Sequence, residues 1–251
     1  MQKKLLFVLA AASVLLVSNA RAATFADAVV SYNPGTGYSA QFTNTATVLG
    51  APSQVNPYGE PTDPFDPPYG TDQILSIGAG GSVTVKFHTP ILNHPKNAFG
   101  IDFIIFGNSG FIITNDFDLN TFDWVGTPAT DSSLFGANSG STRVSVSRDG
   151  VNFFALNPAL APTVDTLFPT DGSGNFQTPL DPTLTQSDFA GATLDDMTVL
   201  YNGSAGGAGY DISWAQDANG NSVSLPVINF VRVEVISGKS DIDGFAATSR
   251  H

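Results

Sequence analysis

Residues 143–156 read RVSVSRDGVNFFAL, a strand pattern followed by a turn signal and a second apolar segment. Val144 and Val146 alternate with polar neighbours, which is the period of a half-buried strand. Asp149-Gly150 comes next, and Asp-Gly is a strong signal for a hairpin because glycine tolerates positive φ. Residues 153–156 are apolar again, so the stretch predicts two antiparallel strands joined by a tight turn.

Similar strand signals occur along most of the chain. Residues 82–88 and 231–235 alternate between apolar and polar side chains, while residues 99–106 are almost continuously apolar and predict a central strand buried on both faces. Residues 197–201 also predict a short strand, and we find no convincing amphipathic helix after residue 22. These signals predict an all-β chain that folds as a single antiparallel β-sandwich or jelly roll.

Two long connections rich in Pro, Gly and Asp interrupt the strands. Residues 51–72 contain six prolines and residues 157–190 contain five, which excludes central strands there. Of the 22 acidic residues only Glu60 and Glu234 are glutamates, and aspartate favours turns and caps. Loops of this length in a compact domain are usually functional or cover other surfaces.

The N-terminus has the three parts of a secretory signal peptide. Lys3 and Lys4 precede an apolar stretch at residues 5–17, and Ala20-Arg21-Ala22 supplies the small residues that cleavage requires. We therefore predict that residues 1–22 are a signal peptide and residues 23–251 a single β-sandwich domain, secreted to the periplasm or the extracellular space. The chain contains no cysteine, so neither a lipoprotein anchor nor disulfides are expected.

The charge of the chain narrows the choice of partners. The net charge of −12 becomes −15 when the three cations Lys3, Lys4 and Arg21 are removed. Such a surface repels phosphate backbones, so we expect no nucleic-acid partner. The absence of cysteine also excludes thiolate zinc sites and cysteine nucleophiles.

Several segments, in this order, resemble a group of secreted bacterial cell-surface proteins of mostly uncharacterised function. The resemblance rests on LSIGAGGSVTVKF (75–87), DFIIFGN (102–108), VSRDGVNF (146–153), GGAGYDIS (206–213), DANGN (217–221), FVRV (230–233) and DIDGFA (241–246). It implies a surface-associated β-sandwich, distantly similar to the galactose-binding-like jelly rolls of carbohydrate-binding modules. Members often carry a C-terminal membrane-sorting helix, whereas residues 248–251 are polar, so we expect no membrane span in the mature chain.

Four oxygen-bearing residues predict a calcium site. Asp102, Asp211 and Asp243 stand in apolar contexts, and Asn108 ends the strand that contains Asp102. A buried carboxylate is costly unless it is paired or bound to a metal, and calcium prefers hard oxygen ligands. The alternative is that each carboxylate accepts hydrogen bonds from backbone N–H groups at a strand end or turn.

Exposed aromatic residues predict a sugar-binding surface, because a pyranose ring stacks its C–H face on an exposed aromatic ring. Tyr58, Tyr69 and Trp124 are the candidates, and the proline-rich loop can hold the two tyrosines exposed. Large rings are more often buried, which is the alternative for each of them.

The pattern favours a non-catalytic, secreted binding or adhesion module for a glycan or another cell-surface partner, stabilised by calcium. The first alternative is a structural matrix protein that self-associates. The second is a secreted hydrolase using paired aspartates, since many pairs are available and no catalytic triad motif is found.

Overall fold

Two antiparallel sheets packed face to face form the body of the computed structural model, which describes residues 24–248. The predicted signal peptide lies outside the described residues. The strands are β1 (Ala28–Asn33), β2 (Leu75–Gly78), β3 (Ser82–Leu92), β4 (Phe103–Gly107), β5 (Gly110–Ile113), β6 (Phe117–Asp118), β7 (Asp123–Trp124), β8 (Thr130–Phe135), β9 (Ser141–Ser147), β10 (Phe154–Leu156), β11 (Ala208–Tyr210), β12 (Ala215–Gln216), β13 (Val227–Ser237) and β14 (Lys239–Ala247). Helix α1 (Leu194–Tyr201) and four short 3-10 turns (Thr45–Val48, Ala98–Gly100, Gln186–Phe189 and Ile212–Trp214) complete the described elements.

The order of the strands confirms the antiparallel sandwich. One sheet has six strands in the order β1-β3-β13-β9-β10-β12, and the other has four in the order β11-β4-β14-β2. Two ribbons, β5–β8 and β6–β7, stand apart from these sheets. The predicted hairpin is β9–β10, in which Phe154 pairs with Val146 and the Asp149 carboxylate accepts the N–H groups of Val151 and Asn152 in the turn.

Side chains that point inward from alternate positions of both sheets form the main core between the sheets. Val85, Val146 and Val233 point inward from the six-stranded sheet and pack against residues such as Phe103 and Phe245 of the other. Strand β4 is buried on both faces, as predicted, because its alternate residues contact a second cluster beyond the four-stranded sheet.

A third layer of loops covers the outer face of the four-stranded sheet. Phe176 and Ala205 pack there against Ile104 and Phe106 of β4. A further cluster joins β5, a 3-10 turn and α1 through Phe111, Phe189, Met197 and Tyr201, with Phe65 against it. Residues 51–72, 108–140 and 157–206 form this layer, which we call the loop layer.

The predicted strand at residues 197–201 is wrong, because these residues belong to α1. The Thr193 hydroxyl oxygen accepts the Asp196 N–H, and the Asp196 carboxylate accepts the Thr193 N–H, which is a capping box. Met197 and Tyr201 then lie one turn apart on the buried face. Across residues 24–248, no helix is long and apolar enough to cross a membrane.

Candidate functional site

Asp102 is a buried carboxylate directly before β4. Its Oδ1 accepts hydrogen bonds from the His94 N–H at 3.0 Å and Asn97 Nδ2 at 2.9 Å. Its Oδ2 accepts one from the Ile212 N–H at 2.9 Å. Burial raises the pKa of Asp102 to about 6, although these hydrogen bonds favour the charged form. The carboxylate thus ties one loop and one turn to the strand.

Asp211 lies near Asp102, whereas Asn108 does not. Asp211 caps the 3-10 turn Ile212–Trp214 by accepting the Ser213 N–H at 2.6 Å, and its charge helps to raise the pKa of Asp102. Asn108 follows the other end of β4, and its side-chain oxygen is buried without a hydrogen-bond partner. Six residues of extended chain span roughly 20 Å, so Asp102 and Asn108 cannot share one ion.

Asp243 occupies a bulge of β14, where the pairing with β4 shifts between Ile242 and Gly244. Its Oδ2 accepts the Ser53 N–H at 2.8 Å and its Oδ1 accepts the Ser53 hydroxyl at 2.7 Å. Burial raises the pKa of Asp243 to about 7. A Cβ on Gly244 would come within 3.0 Å of Pro52, so glycine there lets the first long loop approach the sheet.

The structure does not gather the four predicted metal ligands at one point. In the part of the chain that the structure describes, no three His, Asp or Glu side chains are placed to hold a metal ion. Protein donors occupy both oxygens of Asp102 and of Asp243, which is the alternative role considered for these carboxylates. The four residues therefore do not form a single site, and calcium binding by this chain stays a prediction.

Tyr58 and Tyr69, two of the predicted sugar-stacking residues, lie side by side in the proline-rich loop. Their ring centroids are 6.4 Å apart and their planes are tilted by 59°. Tyr58 is 81% exposed and Tyr69 is 39% exposed. The loop around them is braced, because Asn56 Oδ1 accepts the N–H groups of Tyr58 and Glu60. The pair is thus preformed and open to solvent.

A groove of about 540 Å³ lies between the proline-rich loop and α1. The tyrosine pair lies beside it, since Asn56 accepts the Tyr58 N–H and donates to the Asp66 carboxylate of the groove, and Tyr69 lies against Tyr58. We call this feature the acidic groove, and it is lined by Glu60, Pro61, Thr62, Asp63, Asp66, Asp171, Ser173, Leu194 and Thr198. A second hollow of about 460 Å³ shares Asp63, Asp66 and Leu194 and extends the groove towards Ile113 and Pro128.

Three carboxylates of the acidic groove each keep one oxygen available. Asp63 Oδ1 accepts the N–H groups of Phe65 and Asp66 at 2.7 and 2.9 Å. Asp66 Oδ2 accepts Asn56 Nδ2 at 2.6 Å, and Asp171 Oδ1 accepts the Ser173 N–H at 2.9 Å. Their second oxygens accept no hydrogen bond from the described residues. The groove can therefore accept several hydroxyl donors at once.

The three carboxylates also influence one another. Burial raises the pKa of Asp63, and the charges of Asp66 and Asp171 act in the same direction. The groove lining contains no Lys or Arg. The site thus favours neutral or cationic ligands that donate hydrogen bonds and disfavours anions.

Trp124, the third predicted aromatic residue, lies elsewhere in the loop layer. It belongs to the β6–β7 ribbon and packs edge to face against Phe117, with ring centroids 5.1 Å apart. Trp124 therefore makes its described ring contact with Phe117 and not with the tyrosine pair.

Sequence reasoning missed the carboxylates of the acidic groove. The repeated Asp-Pro at Asp63-Pro64 and Asp66-Pro67, three residues apart and close to both tyrosines, was the available signal. Asp171 comes from the second long loop, and no local pattern connects it to the first. Both long loops contribute residues to the groove.

No protein-family model and no curated protein matches this chain. The likeness to secreted surface proteins therefore stays a resemblance carried by the segments quoted above.

Proposed function

We propose that this chain is a secreted, non-catalytic module that binds neutral glycans in the acidic groove, with a sugar ring stacked on Tyr58 or Tyr69. The observation that carries the proposal is the exposed tyrosine pair beside a groove lined by carboxylates with available oxygens.

Each part of this surface matches a part of a sugar. The apolar C–H face of a pyranose covers an aromatic ring and removes both from water. The hydroxyl groups of the sugar donate to Asp63, Asp66 and Asp171, and such charge-assisted hydrogen bonds are short and strong. Because Asn56 and the prolines hold the loop in place, little conformational entropy is lost on binding.

The charge of the groove selects the class of glycan. Glu60, Asp63, Asp66 and Asp171 repel uronic acids and sulfated sugars, and no cation in the lining offsets them. The two rings are tilted by 59°, so they offer two stacking planes and suit a bent oligosaccharide better than a flat one. We therefore expect neutral oligosaccharides to bind and anionic ones to fail.

A glycan array followed by calorimetry with the best neutral ligand tests the proposal. Tyr58→Ala and Tyr69→Ala should each weaken binding by about tenfold or more, the equivalent of about 1.4 kcal/mol. Phe99→Ala is the matched control, because Phe99 is also an exposed aromatic (55%) but lies outside the groove. An array without neutral hits, or a ligand whose affinity ignores both tyrosine substitutions, contradicts the proposal.

One observation favours the hydrolase as a second candidate. The raised pKa of Asp63 suits a general acid, and the nearby Asp171 carboxylate suits its partner in glycoside hydrolysis. The test is prolonged incubation with the array-selected oligosaccharide and measurement of new reducing ends. Cleavage by the wild type that Asp63→Asn abolishes would establish a hydrolase, and full recovery of intact ligand would establish a binding module.

A further inference from the structure

Strand β11 is an edge strand, because in the described part of the chain it pairs with β4 and with no other strand. The Tyr210 carbonyl faces β4, since it accepts the Asp102 N–H at 2.9 Å. Successive residues of a strand turn their N–H and C=O groups to opposite sides, so those of Gly209 point away from β4. Neither group of Gly209 forms a hydrogen bond within residues 24–248.

An apolar hollow of about 210 Å³, which we call the edge pocket, lies against this edge of the sheet. Gly209 is half-buried and lines the pocket, and because glycine has no side chain it does so with its backbone. No charged side chain of the described residues belongs to the lining. Most of the wall is formed by Ile101, Leu160, Leu167, Leu180, Leu184 and Trp214.

The second long loop holds the edge pocket in shape. The Gly207 N–H donates to the Phe168 carbonyl at 3.0 Å, so this loop covers the edge of the sheet just before β11. The Tyr210 hydroxyl donates to the Pro162 carbonyl at 3.0 Å and ties the same loop to β11. Leu160, which lines the pocket, is 54% exposed, so the pocket meets solvent on that side.

The edge pocket combines apolar walls with a backbone donor and acceptor that have no protein partner. A backbone N–H or C=O in apolar surroundings costs free energy unless it is paired. Water at Gly209 would find few other polar groups, so a ligand that makes both hydrogen bonds can displace it at small cost. A cavity of about 150 Å³ lined by Leu, Ile and Phe already holds benzene, so the edge pocket has room for one or two fused rings.

We propose that the edge pocket binds a small, neutral, planar lactam, a ring in which an N–H donor stands next to a carbonyl acceptor. The lactam N–H would donate to the Gly209 carbonyl, and the lactam carbonyl would accept the Gly209 N–H, as a neighbouring strand would. The apolar part of the ring would cover the leucines and Trp214. Ions are disfavoured, because the lining offers no opposite charge.

The short length of the open edge favours a small molecule over an extended peptide. A peptide that adds a strand needs a row of main-chain donors and acceptors. Here the Gly207 N–H is already paired with Phe168, and the Ile212 N–H is paired with Asp102. Gly209 alone is left, and one donor with one acceptor matches the polar edge of a single lactam.

The edge pocket is separate from the proposed glycan site. It shares no lining residue with the acidic groove, and its walls are leucines and Trp214 instead of carboxylates. The lactam site therefore does not depend on the proposed function.

Calorimetry on the mature chain with 2-quinolone, a lactam fused to a benzene ring, tests the proposal. A ligand of about eleven heavy atoms should bind with a Kd of roughly 10–500 μM. N-methyl-2-quinolone lacks the donor, and quinoline lacks both the donor and the carbonyl. Each should bind at least about tenfold more weakly, because the Gly209 carbonyl is left unpaired. In ¹H–¹⁵N spectra, 2-quinolone should shift the Gly209 amide.

Two substitutions in the lining test the position of the site. Leu184→Trp fills the pocket and should weaken the binding of 2-quinolone by at least about tenfold. Leu160→Glu places a charge at the exposed side of the pocket, where folding should tolerate it, and should weaken binding several-fold. Val199→Trp is the matched control, because Val199 is 77% exposed on α1 and outside the lining.

Three results would each overturn the proposal. The first is that 2-quinolone does not bind at concentrations up to about 1 mM, well above the expected Kd. The second is that N-methyl-2-quinolone binds as tightly as 2-quinolone, since the Gly209 carbonyl would then play no part. The third is full affinity in either lining variant when circular dichroism shows that the variant is folded.

Discussion

Asp165 and Asp243 each hold one long loop against the four-stranded sheet with a single buried carboxylate. Asp243 binds Ser53 of the first loop. Asp165, in the second loop, accepts the N–H groups of Asn108 and Ser109 through Oδ1 and that of Asp241 through Oδ2. Neither carboxylate forms a salt bridge among the described residues. Burial therefore raises the pKa of each to about 7.

Because of these carboxylates, we expect the protein to be more stable in mild acid than at mildly alkaline pH. Because folding raises the pKa of each carboxyl above its usual 3.8, the protonated form favours the folded state. The stabilisation from each protonated carboxyl is complete below pH 3.8 and is lost as the pH rises through about 7. Asp102, with its pKa raised to about 6, acts in the same direction. The free energy of unfolding in urea should thus be larger at pH 5 than at pH 8.

Asp243→Asn isolates one of these groups. The amide retains an oxygen for the Ser53 N–H and an NH₂ for the Ser53 hydroxyl, but it carries no charge. A shift of about three pKa units corresponds to at most about 4 kcal/mol, so the variant should gain a few kcal/mol at pH 8 and little at pH 4. Asp116→Asn, at an exposed position, is the control. Equal effects of Asp243→Asn at both pH values would contradict the role of burial.

At the scale of elements, the capping box decides where α1 begins and so shapes one wall of the acidic groove. Thr193→Ala removes the oxygen that accepts the Asp196 N–H. The expected loss is about 1 kcal/mol of unfolding free energy, measured in urea. Thr193→Ser keeps the oxygen and should retain nearly all of the stability. If both variants lose the same amount, the methyl group and not the cap is responsible.

The strands were predictable because one buried face imposes a period of two, as in β9 and β13. Helix α1 was missed because Val199 and its neighbours have strand-forming side chains, whereas Thr193 and Asp196 supply the signal that starts a helix. A single calcium site formed by all four predicted ligands could have been rejected from the sequence alone, since Asp102 and Asn108 stand at opposite ends of one strand. The acidic groove was predictable only in part: the repeated Asp-Pro marks Asp63 and Asp66, but Asp171 approaches Asp63 only through the fold.

For the molecule as a whole, folding separates charge as well as layers. The loop layer contains fourteen of the 22 acidic residues and no Lys or Arg, whereas Lys86, Arg143 and Arg232 belong to strands of the six-stranded sheet. The proposed glycan groove therefore lies in a part of the molecule whose lining carries no cation.

The same separation predicts how salt changes stability. The fourteen acidic residues of the loop layer repel one another, while the described residues form three salt bridges, so salt screens more repulsion than attraction. At pH 8 and low micromolar protein, raising NaCl from 10 to 150 mM should increase the melting temperature by roughly 2–4 °C, the equivalent of about 1 kcal/mol. Replacing Asp116, Asp118 and Asp123 with Asn should reduce this rise, because part of the repulsion is already gone. A melting temperature that falls with salt would contradict this prediction. It would mean that attractive ion pairs outweigh the repulsion among the acidic residues of the loop layer.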